Sequence, residues 1–263
     1  MLSADFWAET RQELRNRFGE GLFVLPQCSA AGDQSPHLIW NKATMERMLG
    51  LKGRTLREEI AHRIADAAQD LLPFIQSTAE MQPQLRHAVR RLHLPLDRIK
   101  TADVEAAKQQ AAEWRIKLEE EKRKLEADPS QYEEARWYVP ISRAWGQVNR
   151  FERVVRRFEQ QQAGVRTLDT PIHVIRLGDL IIATNRFELY VDFGLQIKVR
   201  CGDLPHVLLV QLCGEGSYLS TEKSVAAGGY GSTIAGSPIG PNGGRELVGQ
   251  TVSLIEEVWN SNE

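Results

Sequence analysis

Four side chains that could take part in hydrolytic chemistry stand in loops that follow apolar runs. Ser29 comes after the apolar run 22–28 and before a glycine, and a small-residue loop lets a substrate approach a serine hydroxyl closely. Glu188 follows the apolar run 180–184 at a predicted helix start, where an acid either faces a site or only favours the helix dipole. Tyr218 and Tyr230 offer hydroxyl donors, although buried tyrosines usually only pack and hydrogen-bond. On residue type alone, an ordinary structural role is favoured for all four.

Histidine and cysteine spacing predicts no metal centre. The six histidines show neither an HxH nor an HExxH pattern, and the three cysteines form no CxxC pair. Cys28, Cys201 and Cys213 cannot all pair within the chain, so we expect free thiols in a reducing compartment. A serine hydrolase that uses Ser29 with His37 is a further interpretation, disfavoured because neighbours in one loop rarely reach productive contact.

The elements that must position these residues alternate between helices and strands. A first helix ends near Gly19, a strand is predicted over 22–28, and a helix capped by Thr55 is predicted to stop before Pro73. Later, strands at 173–177 and 180–184 flank a tight turn, a helix covers 189–199, another strand covers 207–212 and a helix runs over 245–259. The predicted fold class is α/β (α+β), with a mixed-sheet, hydrolase-like core.

A charge-dense, glutamine-rich segment divides this core. Its apolar residues recur at helical spacing on both sides of a break at Asp128, which predicts an antiparallel helical hairpin inserted into the domain. The predicted organisation is a first core part over 1–85, the hairpin over 86–164 and a second core part over 165–263. Lysine and arginine alternate with glutamate in the hairpin, which favours a solvated helix face over a nucleic-acid surface.

Net charge and the distribution of apolar residues restrict the kinds of partner that we expect for this protein. The formal net charge of −2 gives no general attraction to nucleic acid or anionic lipid, so we expect no nucleic-acid partner. The start of the chain has no basic segment followed by an apolar run, and no stretch is apolar enough for a transmembrane segment. These observations predict a soluble, cytoplasmic protein.

Several segments together resemble the neutral, non-lysosomal ceramidase family, in particular its shorter bacterial relatives. Residues 28–37 read Cys-Ser-Ala-Ala-Gly-Asp-Gln-Ser-Pro-His and resemble the family's nucleophile loop, with Ala30 where the family usually has Asn. Residues 177–188, with Gly194 beyond them, resemble the segment that carries a zinc-binding glutamate, although Asn-Arg-Phe replaces the commoner Pro-Gly. Residues 216–221 resemble the family's Tyr-x-Thr-Thr element, and a second tyrosine follows at the family's spacing.

The resemblance covers roughly residues 1–80 and 165–263 and implies a zinc-dependent amide hydrolase for an N-acyl sphingoid or related lipid-like small-molecule substrate. It implies that Glu188 and Tyr218 are metal ligands, that Ser29 is the nucleophile and that Tyr230 is a donor to the developing oxyanion. In that family two zinc histidines precede the serine loop, so we expect the site to be incomplete without upstream histidines. The alternative is a non-catalytic interaction or scaffold protein that retains the fold and docks through the hairpin. We also expect self-association through exposed apolar surface.

Overall fold

The computed structural model describes residues 4–36, 39–76 and 82–261 and has an α/β fold around a mixed four-stranded sheet. The helices are α1 (Phe6–Phe18), α2 (Lys42–Lys52), α3 (Leu56–Gln76), α4 (Thr101–Ala127), α5 (Val139–Gln162), α6 (Val191–Arg200), α7 (Glu222–Ala226) and α8 (Pro241–Asn260). The strands are β1 (Leu85–Pro95), β2 (Thr167–Leu177), β3 (Leu180–Thr184), β4 (Glu188–Leu189), β5 (His206–Val210) and β6 (Tyr218–Leu219). Among the described residues, no helix combines the length and apolarity needed to cross a bilayer.

The main sheet has the order β1-β2-β3-β5. β1, β2 and β3 are antiparallel neighbours, and the predicted tight turn between β2 and β3 is confirmed, with Gly178 at a φ of 59°. β3 and β5 are parallel, connected through α6, so the carboxyl ends of these two strands lie side by side. A separate parallel pair, β4 with β6, follows beyond those ends.

One face of the main sheet forms the hydrophobic core. The strands alternate between buried and more exposed residues, and the buried set includes Leu94, Ile172 and Ile181. α6 and α8 cover this face, and Gly244 of α8 lies so close to the Phe193 ring that a Cβ there would be 2.4 Å from Cζ. The predicted final helix is confirmed and begins four residues earlier than expected, at Pro241, a residue type favoured in the first helical turn.

The helical hairpin is the connection between β1 and β2, which are adjacent strands. Its helices are α4 and α5, packed against each other through residues such as Val104, Ala107 and Val154. Residues 85–95, placed mostly in the hairpin by the sequence prediction, form the outer strand β1 instead. Their alternating burial has a period of two, and the charge-dense composition hid that period because the exposed face carries histidine and arginine.

Two local predictions are wrong. Residues 22–28 form no strand; Phe23 and Leu25 are 96% and 82% exposed, and the segment meets the end of β5 through the backbone hydrogen bond from Gln211 to Cys28 (2.9 Å). A single bond of this kind is no ladder, so apolar composition alone did not make a strand. α3 continues past Pro73 to Gln76, so this proline lies in the last turn of the helix and not after its end.

Candidate functional site

The candidate site lies outside the carboxyl ends of the parallel strands β3 and β5. From these ends the chain continues as two segments that remain side by side, joined by hydrogen bonds from Asn185 N to Val210 O (3.0 Å) and from Cys213 N to Asn185 O (2.9 Å). Crevices at this end of neighbouring parallel strands are where open α/β sheets generally bind ligands. The fold therefore presents Glu188 and Tyr218 at a usual ligand position.

Glu188 and Tyr218 are direct partners in the β4–β6 ladder. Burial of the Tyr218 phenol, followed by the negative charge of the neighbouring Glu188 carboxylate, raises the pKa of Tyr218 to about 12. The phenol is therefore fully protonated at neutral pH. The two residues for which the resemblance implies a common role are brought into contact.

Tyr230 joins this pair from a loop that follows α7. Its ring contacts the Tyr218 ring edge-on, with centroids 6.0 Å apart. Gly231 allows this approach, because a Cβ at that position would lie 2.7 Å from Cγ of Tyr218. Three of the four predicted side chains, those of Glu188, Tyr218 and Tyr230, thus line one cavity.

Arg150 of α5 fixes the Tyr230 loop. Its guanidinium carbon lies 3.8 Å from the centroid of the Tyr230 ring, and Nη2 donates to the Tyr230 carbonyl (3.1 Å) and to Oγ1 of Thr233 (3.2 Å). The arginine is only 8% exposed. A stacked, hydrogen-bonded guanidinium restrains both its own plane and the ring beneath it. The hairpin therefore contributes directly to the site.

The Ser29 loop is hydrogen-bonded to the backbone of β4 and of the first residue of α6. Gly32 N donates to Leu189 O (2.8 Å), and Oδ1 of Asp33 accepts from Val191 N (2.8 Å) at the start of α6. Ala30 is buried against Gly194, where a Cβ would lie 2.5 Å from the Ala30 Cβ. Ser29 itself is exposed and, among the described residues, is not part of the cavity lining. The loop neighbours the site, and its serine hydroxyl lies outside the cavity.

Gln211 connects three parts of the site. Its buried side-chain oxygen accepts from Leu189 N (2.8 Å) and Ala31 N (3.3 Å), and its backbone N–H donates to Cys28 O. One amide thus links the end of β5, strand β4 and the Ser29 loop. From the sequence, Gln211 was predicted only as part of an apolar strand. The signal that could have identified it is a polar side chain directly after four aliphatic residues.

The cavity has a volume of about 570 Å³. It is lined by Arg150, Arg153, Arg157, Leu168, Arg186, Glu188, Glu215, Gly216, Ser217, Tyr218, Tyr230, Ala235, Gly236 and Pro238. Four arginines therefore face two glutamates, in a protein whose formal net charge is −2. The prediction that the hairpin's basic residues form a solvated face is wrong for Arg150, which is buried here.

The side chains at the candidate site offer fewer donors than a zinc ion usually requires. Glu188 and Tyr218 offer two oxygen donors, whereas protein zinc sites usually have four ligands that include nitrogen or sulfur. Within residues 4–36, 39–76 and 82–261, no group of three or more His, Cys, Asp or Glu side chains could hold a metal ion. The arginines of the cavity also oppose a cation. By themselves, the described residues do not fit a zinc site.

Of the remaining candidates, His37 lies outside the described residues, so the suggested Ser29–His37 pair has no structural counterpart to report. Cys28, Cys201 and Cys213 are free, as predicted. Burial raises the pKa of the thiols of Cys201 and Cys213. Their thiols therefore stay protonated near neutral pH.

Comparison of the chain with protein-family models, curated proteins and solved structures finds no match.

Proposed function

We propose that the chain forms the Glu188–Tyr218–Tyr230 part of an amide hydrolase of the neutral-ceramidase type, acting on N-acyl substrates. The observation that carries the proposal is the pairing of Glu188 with Tyr218 in the β4–β6 ladder. The resemblance selects these two residues from segments 30 positions apart in the sequence, and contact between them is what a shared role requires.

The proposed roles follow from the surroundings of each residue. Tyr218 stays protonated well above neutral pH because its pKa is raised to about 12, and it lies beside the Glu188 carboxylate in the β4–β6 ladder. The Arg150 guanidinium stacks on the Tyr230 ring and restrains it. Tyr230 is 63% exposed, so its hydroxyl is accessible to the oxygen of an amide undergoing attack. The Ser29 hydroxyl lies outside the cavity, so its role as nucleophile requires the loop that Gly32 and Asp33 attach to β4 and α6 to move towards Glu188.

Zinc belongs to this proposal only if ligands outside the described residues complete the site. Glu188 and Tyr218 would then supply two of its ligands, both through oxygen. The measurable consequence is that elemental zinc in the purified protein should fall in a Glu188→Gln variant relative to the unaltered protein.

A hydrolysis assay tests the proposal. Release of fatty acid from N-acyl sphingosine and simpler N-acyl amines is measured with zinc supplied, for the protein and for Glu188→Gln. Glu215→Gln is the matched control, because Glu215 lines the same cavity and is exposed to solvent along 98% of its side chain. We expect Glu188→Gln to lower kcat by about 10²-fold or more and Glu215→Gln to leave it within about twofold. No hydrolysis by the unaltered protein, or equal loss in both variants, would contradict the proposal.

An interaction protein that docks through the hairpin is the second candidate. Its supporting observation is an exposed aromatic cluster near the hairpin turn, where Tyr132, Trp137 and Tyr138 lie edge-to-face with centroids 4.7 Å and 6.0 Å apart. Exposed aromatic clusters are common centres of protein interfaces. On this alternative, replacing Trp137 by Ala would abolish binding of a partner and Glu188→Gln would not.

A further inference from the structure

The wall of the cavity formed by α5 is cationic. Arg150, Arg153 and Arg157 follow one another at helical spacings of three and four residues, which places them on one face of α5. All three line the cavity that contains Glu188 and Tyr218. Arg150 is buried, Arg157 is partly buried and Arg153 is exposed, so the charge runs from the depth of the cavity to its opening.

Among the described residues, none of these three arginines forms an ion pair with a carboxylate. Arg150 donates to a backbone carbonyl and a threonine hydroxyl, and its buried Nε has no hydrogen-bond partner in the part of the chain that the structure describes. Arg157 donates to the neutral carbonyl of Ile234. By contrast, Arg186 at the same cavity has a carboxylate, that of Glu215, at 3.8 Å. The Glu188 carboxylate lies beside Tyr218, whose pKa its charge helps to raise.

The pKa of Arg157 shows that grouping these arginines in a partly buried cavity wall is energetically unfavourable. Burial and the neighbouring charge of Arg153 lower the pKa of Arg157 to about 10, and Asp97 opposes that shift. Asp97 is itself half-buried, and burial raises the pKa of its carboxyl group. Burying cations without neutralising partners is unfavourable, whereas a bound anion would remove that cost.

We propose that this arginine face binds an acidic group of the substrate, a carboxylate or a phosphate, next to the amide that faces Glu188 and Tyr230. Guanidinium groups bind both kinds of oxyanion through paired hydrogen bonds, and the stacking of Arg150 on Tyr230 holds one of them ready. This inference rests on the proposed function and narrows its substrate class to N-acyl compounds with an acidic headgroup. The hairpin would then determine specificity, because it supplies all three arginines.

Binding measured by titration calorimetry tests the inference without requiring turnover. Three ligands with the same acyl chain are compared: N-butanoylglycine, N-butanoylethanolamine phosphate and the neutral N-butanoylethanolamine. We expect at least one of the acids to bind about tenfold or more tightly than the neutral amide, and added salt to weaken that preference. The acid that binds more tightly identifies the group.

Substitutions in α5 test whether its arginines cause the tighter binding of the acid. Arg153→Gln should weaken binding of the preferred acid about tenfold without affecting the neutral amide, since Arg153 is exposed. Arg156→Gln is the matched control, because Arg156 pairs with Glu152 at 3.6 Å and is not part of the described lining of this cavity. Equal affinity for acid and neutral ligands, or equal losses in the two variants, would overturn the inference.

The two proposals can fail separately. Preferential binding of an acid with no hydrolysis of any N-acyl substrate would retain the anion subsite and reject the proposed function. Hydrolysis that favours the neutral amide, abolished by Glu188→Gln, would retain the proposed function and reject the subsite.

Discussion

Tyr218 lies opposite Glu188 in a two-stranded parallel ladder, where the charge of the Glu188 carboxylate helps to raise the pKa of the Tyr218 hydroxyl. Each residue follows a strand of the main sheet, β5 for Tyr218 and β3 for Glu188, so the parallel pairing of those strands brings the two side chains together. The contact therefore depends on the central sheet. Substitutions that disturb the pairing of β3 with β5 should also change the position of Glu188 relative to Tyr218.

The titration of Tyr218 should depend on Glu188. Burial and then the Glu188 charge raise the pKa of Tyr218 from 10.0 to about 12, so the folded protein holds this proton more tightly than the unfolded chain does. The resulting stability is complete below the unfolded pKa of 10.0 and is lost as the pH rises to about 12. Glu188→Gln should lower the pKa of Tyr218.

Ultraviolet absorbance of tyrosinate during a pH titration measures this shift, with Tyr218→Phe identifying the contribution of Tyr218 among the five tyrosines. An unchanged titration in Glu188→Gln would contradict the assigned effect of the Glu188 charge on Tyr218.

Gln211 should be needed for the stability of the site segments. Gln211→Met keeps a side chain of similar length but removes the oxygen that accepts from Leu189 N and Ala31 N. Two backbone donors then lose their acceptor, and the one at Leu189 is buried, so the free energy of unfolding should fall by about 1–3 kcal/mol. Chemical denaturation measures the change.

Gln109→Met, on the exposed surface of α4, is the control and should change stability by less than about 0.5 kcal/mol. A loss as large as that of Gln211→Met would argue against the hydrogen-bonding explanation.

Two glycines of α8 should respond oppositely to alanine. A Cβ at Gly244 would lie 2.4–2.9 Å from three carbons of the Phe193 ring, whereas a Cβ at Gly249 would meet no atom within 4 Å. Gly244→Ala should therefore destabilise the protein by about 1–3 kcal/mol through overpacking, despite the better helix propensity of alanine. Gly249→Ala should stabilise it by about 0.5–1 kcal/mol. Thermal unfolding of both variants tests the packing of α8 on α6, and a change of the same sign in both would contradict it.

Self-association should occur through the second face of the main sheet. That face carries partly or fully exposed apolar side chains, among them Val89 (53% exposed) on β1 and Leu208 (38% exposed) on the edge strand β5. Exposed edge strands and apolar sheet faces favour pairing with another molecule. Sedimentation velocity over increasing protein concentration should show a dimer, and Leu208→Lys should shift it to monomer.

Val199→Lys is the matched control, because Val199 is 77% exposed on α6 and lies outside this face. A monomer at every concentration would reject the prediction, and dissociation by Val199→Lys would place the contact elsewhere.

Helices and strands of this protein could be predicted from sequence where a periodic pattern of apolar residues was bounded by a clear turn or capping residue. The turn at Gly178 between β2 and β3, the helix that follows Thr55 and the final helix α8 were all found in this way. Residues 22–28 were mispredicted because an apolar run indicates a strand only if a neighbouring strand completes its hydrogen bonds, and composition carries no information about that neighbour. β1 was missed because its exposed face carries histidine and arginine as well as apolar residues, which hid the alternation of period two.

Residue types and spacing by themselves determined the α/β class, the presence of a helical hairpin and, through resemblance, the choice of Glu188, Tyr218 and Tyr230. Only the tertiary structure decided that these three share a cavity, that Gln211 ties the Ser29 loop to β4, and that Arg150 reaches the Tyr230 carbonyl across 80 residues of sequence. The physical reason is the range of the interactions. Helix and strand periodicity reports which side of an element is apolar, whereas a hydrogen bond or stacked cation between distant segments depends on how whole elements pack, and local sequence does not encode that geometry.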